Sequence, residues 1–309
     1  MIIKFNKELT EQEIYANGDE LARIMGLDKD EKGNRVYAHP KEEKRHIITF
    51  KHPVLVTHNY RISHLEPTLR DTLFALYGSP VRITEYDNTS LEFEQKKYPG
   101  VWGPSIDTLL FCRALGKTNL TAKKKAIEVG SGSGFISKYI LEHTPSLESL
   151  TLIDLNRYAL ECAQENIKDR RAKFFAGDGI EFIQGKKYDM MICNPPYIPR
   201  PKSINDNPYE GIGLLAYLIA NAPRLLTNNG IFITNISSLC KDITEKIINK
   251  SNVEVKELDS MEVPLKVYNV LNNKEWMDYL LERGLQKNRH DGYDYWHTIA
   301  IHQIKPKSK

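Results

Sequence analysis

The chain has 309 residues, 41% hydrophobic and 27% charged, with a formal net charge of +3. These are the proportions of a globular protein with a sizeable core, and no apolar run approaches the roughly 18 residues of a membrane span. The charge is too small and dispersed for a dedicated polyanion binder, and "KEEKRH", "TAKKKA" and "KPKSK" read as solvated faces or tail. Four scattered cysteines, Cys112, Cys162, Cys193 and Cys240, form no CxxC pair, which points away from disulfides or structural zinc and toward a reducing compartment. The opening "MIIKFNKELTEQEIYANGDE" is too polar for a secretory signal, so a cytoplasmic location is expected.

Along the first 95 residues the pattern is irregular. "TEQEIYANGDELARIMG" (10–26) and "HLEPTLRDTLFALYG" (64–78) read as helices and "HIITFKHPVLVTHN" (46–59) as strand. "VRITEYDNTSLEFEQ" (81–95) alternates around Asp87-Asn88 like a hairpin. This stretch reads as an N-terminal accessory module of residues 1–95 packed against a second unit of residues 96–309. From Lys123 onward strands and helices alternate, the pattern of an α/β domain with a mostly parallel sheet. Strands are expected at 126–130, 149–156, 172–178, 187–194 and 230–237, and helices at 134–143, 157–168 and 211–226. A helix at 241–250, a strand at 253–259, a helix at 273–284 and a last strand at 293–304 complete the series.

"EVGSGSG" (Glu128 to Gly134) closes one strand and opens one helix. Gly130, Gly132 and Gly134 permit a tight turn and close approach of a ligand to the backbone. Asp154, at the tip of the next strand, stands where a carboxylate meets ribose hydroxyls, or alternatively caps the helix that follows. A dinucleotide would suit this turn too. Two details favour S-adenosylmethionine: Glu128 can face a cationic amino group, and Asp178, ending "GD", can accept from an adenine amine.

"NPPY" (Asn194 to Tyr197) follows the fourth strand, which the topology places beside the first. One proline ends a strand, but the asparagine, second proline and tyrosine ask for more. A conjugated –NH2 is a poor nucleophile, and two fixed acceptors on its hydrogens favour the pyramidal nitrogen of the transition state. The Asn194 side-chain oxygen and the Pro195 carbonyl form such a pair, Pro196 stiffens the segment, and Tyr197 offers a stacking face.

Residues 91–237 resemble the HemK-type glutamine methyltransferases that modify peptide-chain release factors, through "NPPYIP", "EVGSGSG", "GIGLLAYLIANAPRLLTNNGIFI" and the approach "LEFEQKKYPGVWGPSIDTLL". The resemblance implies a Rossmann-like methyltransferase fold, with a mostly parallel seven-stranded sheet and an antiparallel C-terminal strand. It also implies a protein glutamine as acceptor. "GPSIDT" is similar to the Pro-x-x-Asp-Thr element of the archaeal and eukaryotic branch, which would set Pro104, Asp107 and Thr108 on the cofactor side; Asp107 and Thr108 also suit a helix start. Three departures stand out: the strand-like N-terminal module, the insertion "MEVPLKVYNVLNNKEWMDYLLERGLQ" (261–286), and "NIS" (Asn235 to Ser237) where that family ends its fifth strand in an acidic residue.

The same clamp would serve an adenine or guanine amine in RNA or DNA, flipped out if in a duplex. A third reading is a cofactor-binding scaffold without catalysis of its own. Trp102, on the loop before Pro104, suits substrate contact or packing; Tyr293, Tyr295 and His297 alternate as in a half-buried strand. No metal site is expected around His290, His297 and His302.

Overall fold

The computed structural model describes residues 45–48, 81–94, 97–204, 207, 210–290 and 293–307. The helices expected at 10–26 and 64–78, and most of the strand expected at 46–59, lie outside these residues.

Three short strands lead in. β1 (Arg45–Ile48) pairs in parallel with β2 (Val81–Tyr86), and β2 pairs antiparallel with β3 (Thr89–Phe93). Asp87 and Asn88 both take positive φ, 47° and 65°, the two-residue turn that this dipeptide favours in hairpins. α1 (Ile106–Gly116) then leads into β4 (Lys125–Val129), α2 (Phe135–His143), β5 (Ser149–Asp154), α3 (Arg157–Asn166) and β6 (Ala172–Ala176). A short α4 (Gly179–Ile183), β7 (Tyr188–Cys193), α5 (Gly213–Leu225) and β8 (Leu226–Ser237) follow. The chain closes with α6 (Lys241–Lys250), β9 (Val253–Pro264), α7 (Tyr268–Leu271), α8 (Lys274–Leu281), β10 (Gln286–His290) and β11 (Tyr293–Pro306).

The main sheet runs β10-β11-β8-β7-β4-β5-β6, with β9 also paired to β11. Pairs among β8, β7, β4, β5 and β6 are parallel, and β11 is antiparallel to β8, β9 and β10. Among the described residues the sheet therefore has eight strands where seven were expected. The added one, β10, falls in "QKNRH", a polar run with none of the alternation that marks a half-buried strand.

Alternation along the strands sorts the core into two layers. Ala126, Leu150, Leu152, Met190, Ile192 and Ile233 face one way, toward Phe111, Ile140 and Leu160 of α1, α2 and α3. Ile127, Val129, Ile153, Met191, Cys193 and Phe232 face the other, toward Leu218 and Ile219 of α5. Burial on both faces is why these strands read as near-continuous apolar runs. The hairpin belongs to the same core, since Leu91 and Phe93 join the first layer. Lys138 Nζ donates to the Ser90 carbonyl (2.6 Å) and Tyr98 Oη to Glu165 (2.6 Å), tying the approach to α2 and α3. No helix among the described residues is long and apolar enough to cross a membrane.

Candidate active site

Strand register lines up the candidate residues. Glu128 lies opposite Ile192 and Val129 opposite Ile153, so Gly130, Asp154 and Asn194 extend three adjacent strands at one level. Cys193 lies opposite Thr234, which sets Asn235 beside Asn194, and Asp154 lies opposite Ala176, two residues before Asp178. All are at carboxyl ends of parallel strands on both sides of β4, where open α/β sheets bind ligands. A shallow groove with Lys123, Lys187, Asp189 and Thr227 is at the opposite, amino ends.

At the β4 tip, Gly130, Gly132 and Gly134 have φ of 72°, 51° and 82°, conformations that disfavour any side chain. A Cβ on Gly134 would lie 2.7 Å from that of Ala163, so this glycine also admits α3. Asp154 organises the turn: Oδ2 accepts from the Gly132 N–H (2.9 Å) and Oδ1 from the Asn156 N–H (2.8 Å). Each carboxylate oxygen has a further lone pair for a ligand hydroxyl. Burial raises the Asp154 carboxyl, against the two amide bonds. The cap of α3 is not Asp154 but Asn156, whose oxygen accepts from the Tyr158 N–H (3.0 Å).

Glu128 and Asp178 sit differently from expectation. Glu128 is 1% exposed, accepts from the Ser137 hydroxyl, and is pushed by burial up to about 8, which suppresses the charge expected to face a cationic amine. Asp178 is exposed and caps α4, with Oδ1 taking the Ile180 and Glu181 amides (2.6 and 3.3 Å). The fit to a nucleoside ligand rests on other features. A Cβ on Gly130 or Gly177 would meet nothing within 4 Å, and the buried Ser131 hydroxyl has no hydrogen-bond partner. Open glycine backbone beside an orphan hydroxyl and a carboxylate with spare lone pairs matches the ribose and amino-acid portions of S-adenosylmethionine.

The approach loop crosses this tip. Asn156 Nδ2 donates to the Pro99 carbonyl (2.9 Å), and the Trp102 carbonyl lies against Gly132. Trp102 itself is 61% exposed, so packing does not explain its size. Pro104 is buried. Thr108 is buried in the first turn of α1, where its hydroxyl accepts from the Ser105 N–H (3.2 Å): the helix-start reading holds for it. Asp107 does more. It accepts from the Ser105 hydroxyl and, through Oδ2, from Asn194 Nδ2 (2.9 Å).

Asn194 is thus held at both ends, since its Oδ1 accepts from Asn235 Nδ2 (2.6 Å). A carboxylate only accepts, so Asp107 fixes which end of the Asn194 amide is the donor, and Asn235 must then present its own NH2. Asn235 is fully buried and its Oδ1 has no partner, at a cost of about 1–3 kcal/mol for such an acceptor. Pro195 is buried and Pro196 half-buried. Tyr197 is half-buried, with its ring tilted on His297 at 5.8 Å, and burial with nearby Asp107 raises its phenol. His297 in turn bonds Ser237 Oγ through Nδ1 (2.9 Å), and burial holds its imidazole down to about 4, hence neutral at ordinary pH. The insertion closes the set: Trp276 Nε1 donates to the Pro199 carbonyl (2.9 Å), and Ile198 packs on a cluster with Leu265, Met277 and Leu280.

Sequence reasoning missed Asn235, His297 and Trp276 as members of this site. The signal was "NIS" itself, where an acidic strand end was expected: Asn235 supports Asn194 and Ser237 supports His297.

Residues 98–261 match the methyltransferase small domain family, more than half of the chain. A provisionally named protein N5-glutamine methyltransferase of Methanocaldococcus jannaschii is 28% identical over 191 residues, 57% of this chain and 93% of that one. The release factor glutamine methyltransferase of Aquifex aeolicus is 28% identical over 55% of this chain and 68% of its own length. The ribosomal RNA small subunit methyltransferase C of Buchnera aphidicola is 30% identical over 54% of this chain and 48% of its own. Among solved structures, the ribosomal protein L11 methylase of Lactobacillus delbrueckii subsp. bulgaricus aligns at a TM-score of 0.43 and 15% identity, over 68% of this chain and 83% of that one. With a glycine turn beside the Asp154 carboxylate on a Rossmann-like sheet, the chain belongs to the methyltransferase small domain family and is an S-adenosylmethionine-dependent methyltransferase.

Proposed function

We propose that the chain methylates the side-chain carboxamide of a protein glutamine, of the kind carried by peptide-chain release factors. The observation that carries this reading is the two-ended hold on Asn194, at the tip of the strand next to the glycine turn. An amide oxygen held in this way is an acceptor that does not need to reorient, which is the condition for stabilising charge as it develops on a nitrogen. The names of the Methanocaldococcus and Aquifex relatives support a glutamine acceptor.

When bound, S-adenosylmethionine supplies a sulfonium methyl group that needs no activation by the protein. Asp154 and the turn from Gly130 to Gly134 would hold it, with Pro104 and Trp102 on the loop above. Asn194 Oδ1 takes one hydrogen of the acceptor nitrogen on its remaining lone pair, and the Pro195 carbonyl takes the other. Tyr197, backed by His297, provides the apolar wall against which a planar amide lies. The chain's work is orientation and acceptance of hydrogen bonds; the methylated amide sheds its extra proton to water.

A nucleobase amine is the second reading, which the ribosomal RNA methyltransferase relative favours. The test is transfer of tritiated methyl into a cell lysate, followed by parallel digestion with protease and with nuclease. Protease is expected to release the label; nuclease-released label would replace this reading with the second.

A further inference from the structure

We propose that Asn235 is a positioning residue that, with Asp107 setting which end of the Asn194 carboxamide is the donor, locks the Asn194 oxygen toward the acceptor nitrogen, an inference that rests on the methyltransferase reading of this site. Two amide ends of nearly equal shape have opposite chemistry: the oxygen accepts from the substrate –NH2, and the nitrogen repels it. A free asparagine side chain turns between the two. Here the choice is made by a chain of three residues from separate elements. Asp107, in the first turn of α1, takes Asn194 Nδ2, and Asn235, at the end of β8, donates to Asn194 Oδ1. Reversing Asn194 would set oxygen against the Asp107 carboxylate; reversing Asn235 would set oxygen against oxygen at 2.6 Å.

Packing alone does not account for Asn235. It is fully buried beside Phe232, Ile233 and Ile236 of the same strand, all buried, where an apolar residue of similar volume would fill the space without an orphan acceptor. Its donor end reaches a residue on the neighbouring strand at the same level, and that residue is the one whose oxygen orientation matters.

The experiment uses the full-length protein with S-adenosylhomocysteine or S-adenosylmethionine and whichever lysate fraction accepts label from wild type. Asn235→Leu should keep its circular dichroism and bind S-adenosylhomocysteine within about twofold of wild type, while kcat falls about tenfold or more and KM for the donor moves little. The double variant Asp107→Asn with Asn235→Asp retains both hydrogen bonds but reverses the amide between them. Its melting temperature should exceed that of either single variant while kcat stays at least about tenfold below wild type. A structural role predicts the reverse, recovery of turnover with stability. Wild-type kcat in Asn235→Leu, loss of cofactor binding together with turnover in that variant, or restored turnover in the double variant each overturns the proposal. Should no macromolecule take label, the functional reading fails but the positioning claim is still decided. Solvent exchange of the Asn194 Nδ2 hydrogens, followed by NMR in the S-adenosylhomocysteine-bound protein and identified by their loss in Asn194→Asp, should accelerate about tenfold in Asn235→Leu. Unchanged exchange contradicts it.

Discussion

At the β4–β5 tip the side-chain contacts of the glycine turn join residues close in sequence, Gly132 to Asp154 across 22 positions and Ser137 to Glu128 across 9, and one longer link, Asn156 to Pro99 across 57, brings in the approach loop. At the β7 tip they join residues far apart, Asn194 to Asp107 across 87, Trp276 to Pro199 across 77, Ser237 to His297 across 60 and Asn194 to Asn235 across 41. The first end is shaped by backbone conformation, so glycines do most of the work there. The second is shaped by side chains that four separate elements deliver to one loop. A donor common to many enzymes can be held by a compact local device, whereas an acceptor peculiar to one enzyme is met by parts that only the complete fold assembles.

The difference can be strained by mutation at each end. Asn194→Ala removes the acceptor that the whole β7 assembly holds, so methyl transfer should fall about 100-fold or more. Binding of S-adenosylhomocysteine, measured by isothermal titration, should stay within about threefold. Equal loss of both would merge the two ends into one unit. Gly134→Ala strikes the local device, since its new Cβ meets Ala163 at 2.7 Å in a left-handed backbone conformation. A loss of about 2–3 kcal/mol in urea unfolding is expected, and a neutral result would show that α2 and α3 do not depend on this approach.

Glu128 makes the stability of the β4 end depend on pH. Its folded carboxyl is raised by burial to about 8 from an ordinary 4.5, so the folded state keeps a proton that the unfolded chain releases. The stability it contributes is fully present below about pH 4.5 and is lost as pH rises through about 8. Glu128→Gln removes this dependence, and its stability relative to wild type should grow by about 4 kcal/mol between pH 5 and 8.5, measured by denaturant unfolding without ligand. A constant difference would mean that Glu128 is charged in the fold. Asp154→Ala should have the smallest effect, weakening S-adenosylhomocysteine about tenfold, the worth of a charge-assisted hydrogen bond.

These two ends also explain what was legible in the sequence. The glycine turn, Asp154 and the parallel strands were readable because strand, turn and helix follow one another directly, and each strand is buried on both faces. NPPY was readable for its composition, and its level beside Gly130 followed from the strand order. Asn235 was visible only as a departure, because its value depends on register with Cys193 and Asn194 one strand away. His297 read as core, and is core, yet its ring supports Tyr197 from a strand that returns antiparallel sixty residues later. Asp178 and Glu128 were given ligand roles by type and position. One caps a helix two residues on and the other is closed in by Ser137, local outcomes that spacing did not separate from ligand contact.

The acceptor atom proposed for this site is an amide nitrogen of a protein. The most direct measurement is acid hydrolysis of the macromolecule labelled with tritiated methyl, followed by distillation from base. An N-methylated glutamine amide hydrolyses to glutamate and methylamine, so the label should distil as volatile methylamine. Label that stays behind on a purine or pyrimidine base would contradict it.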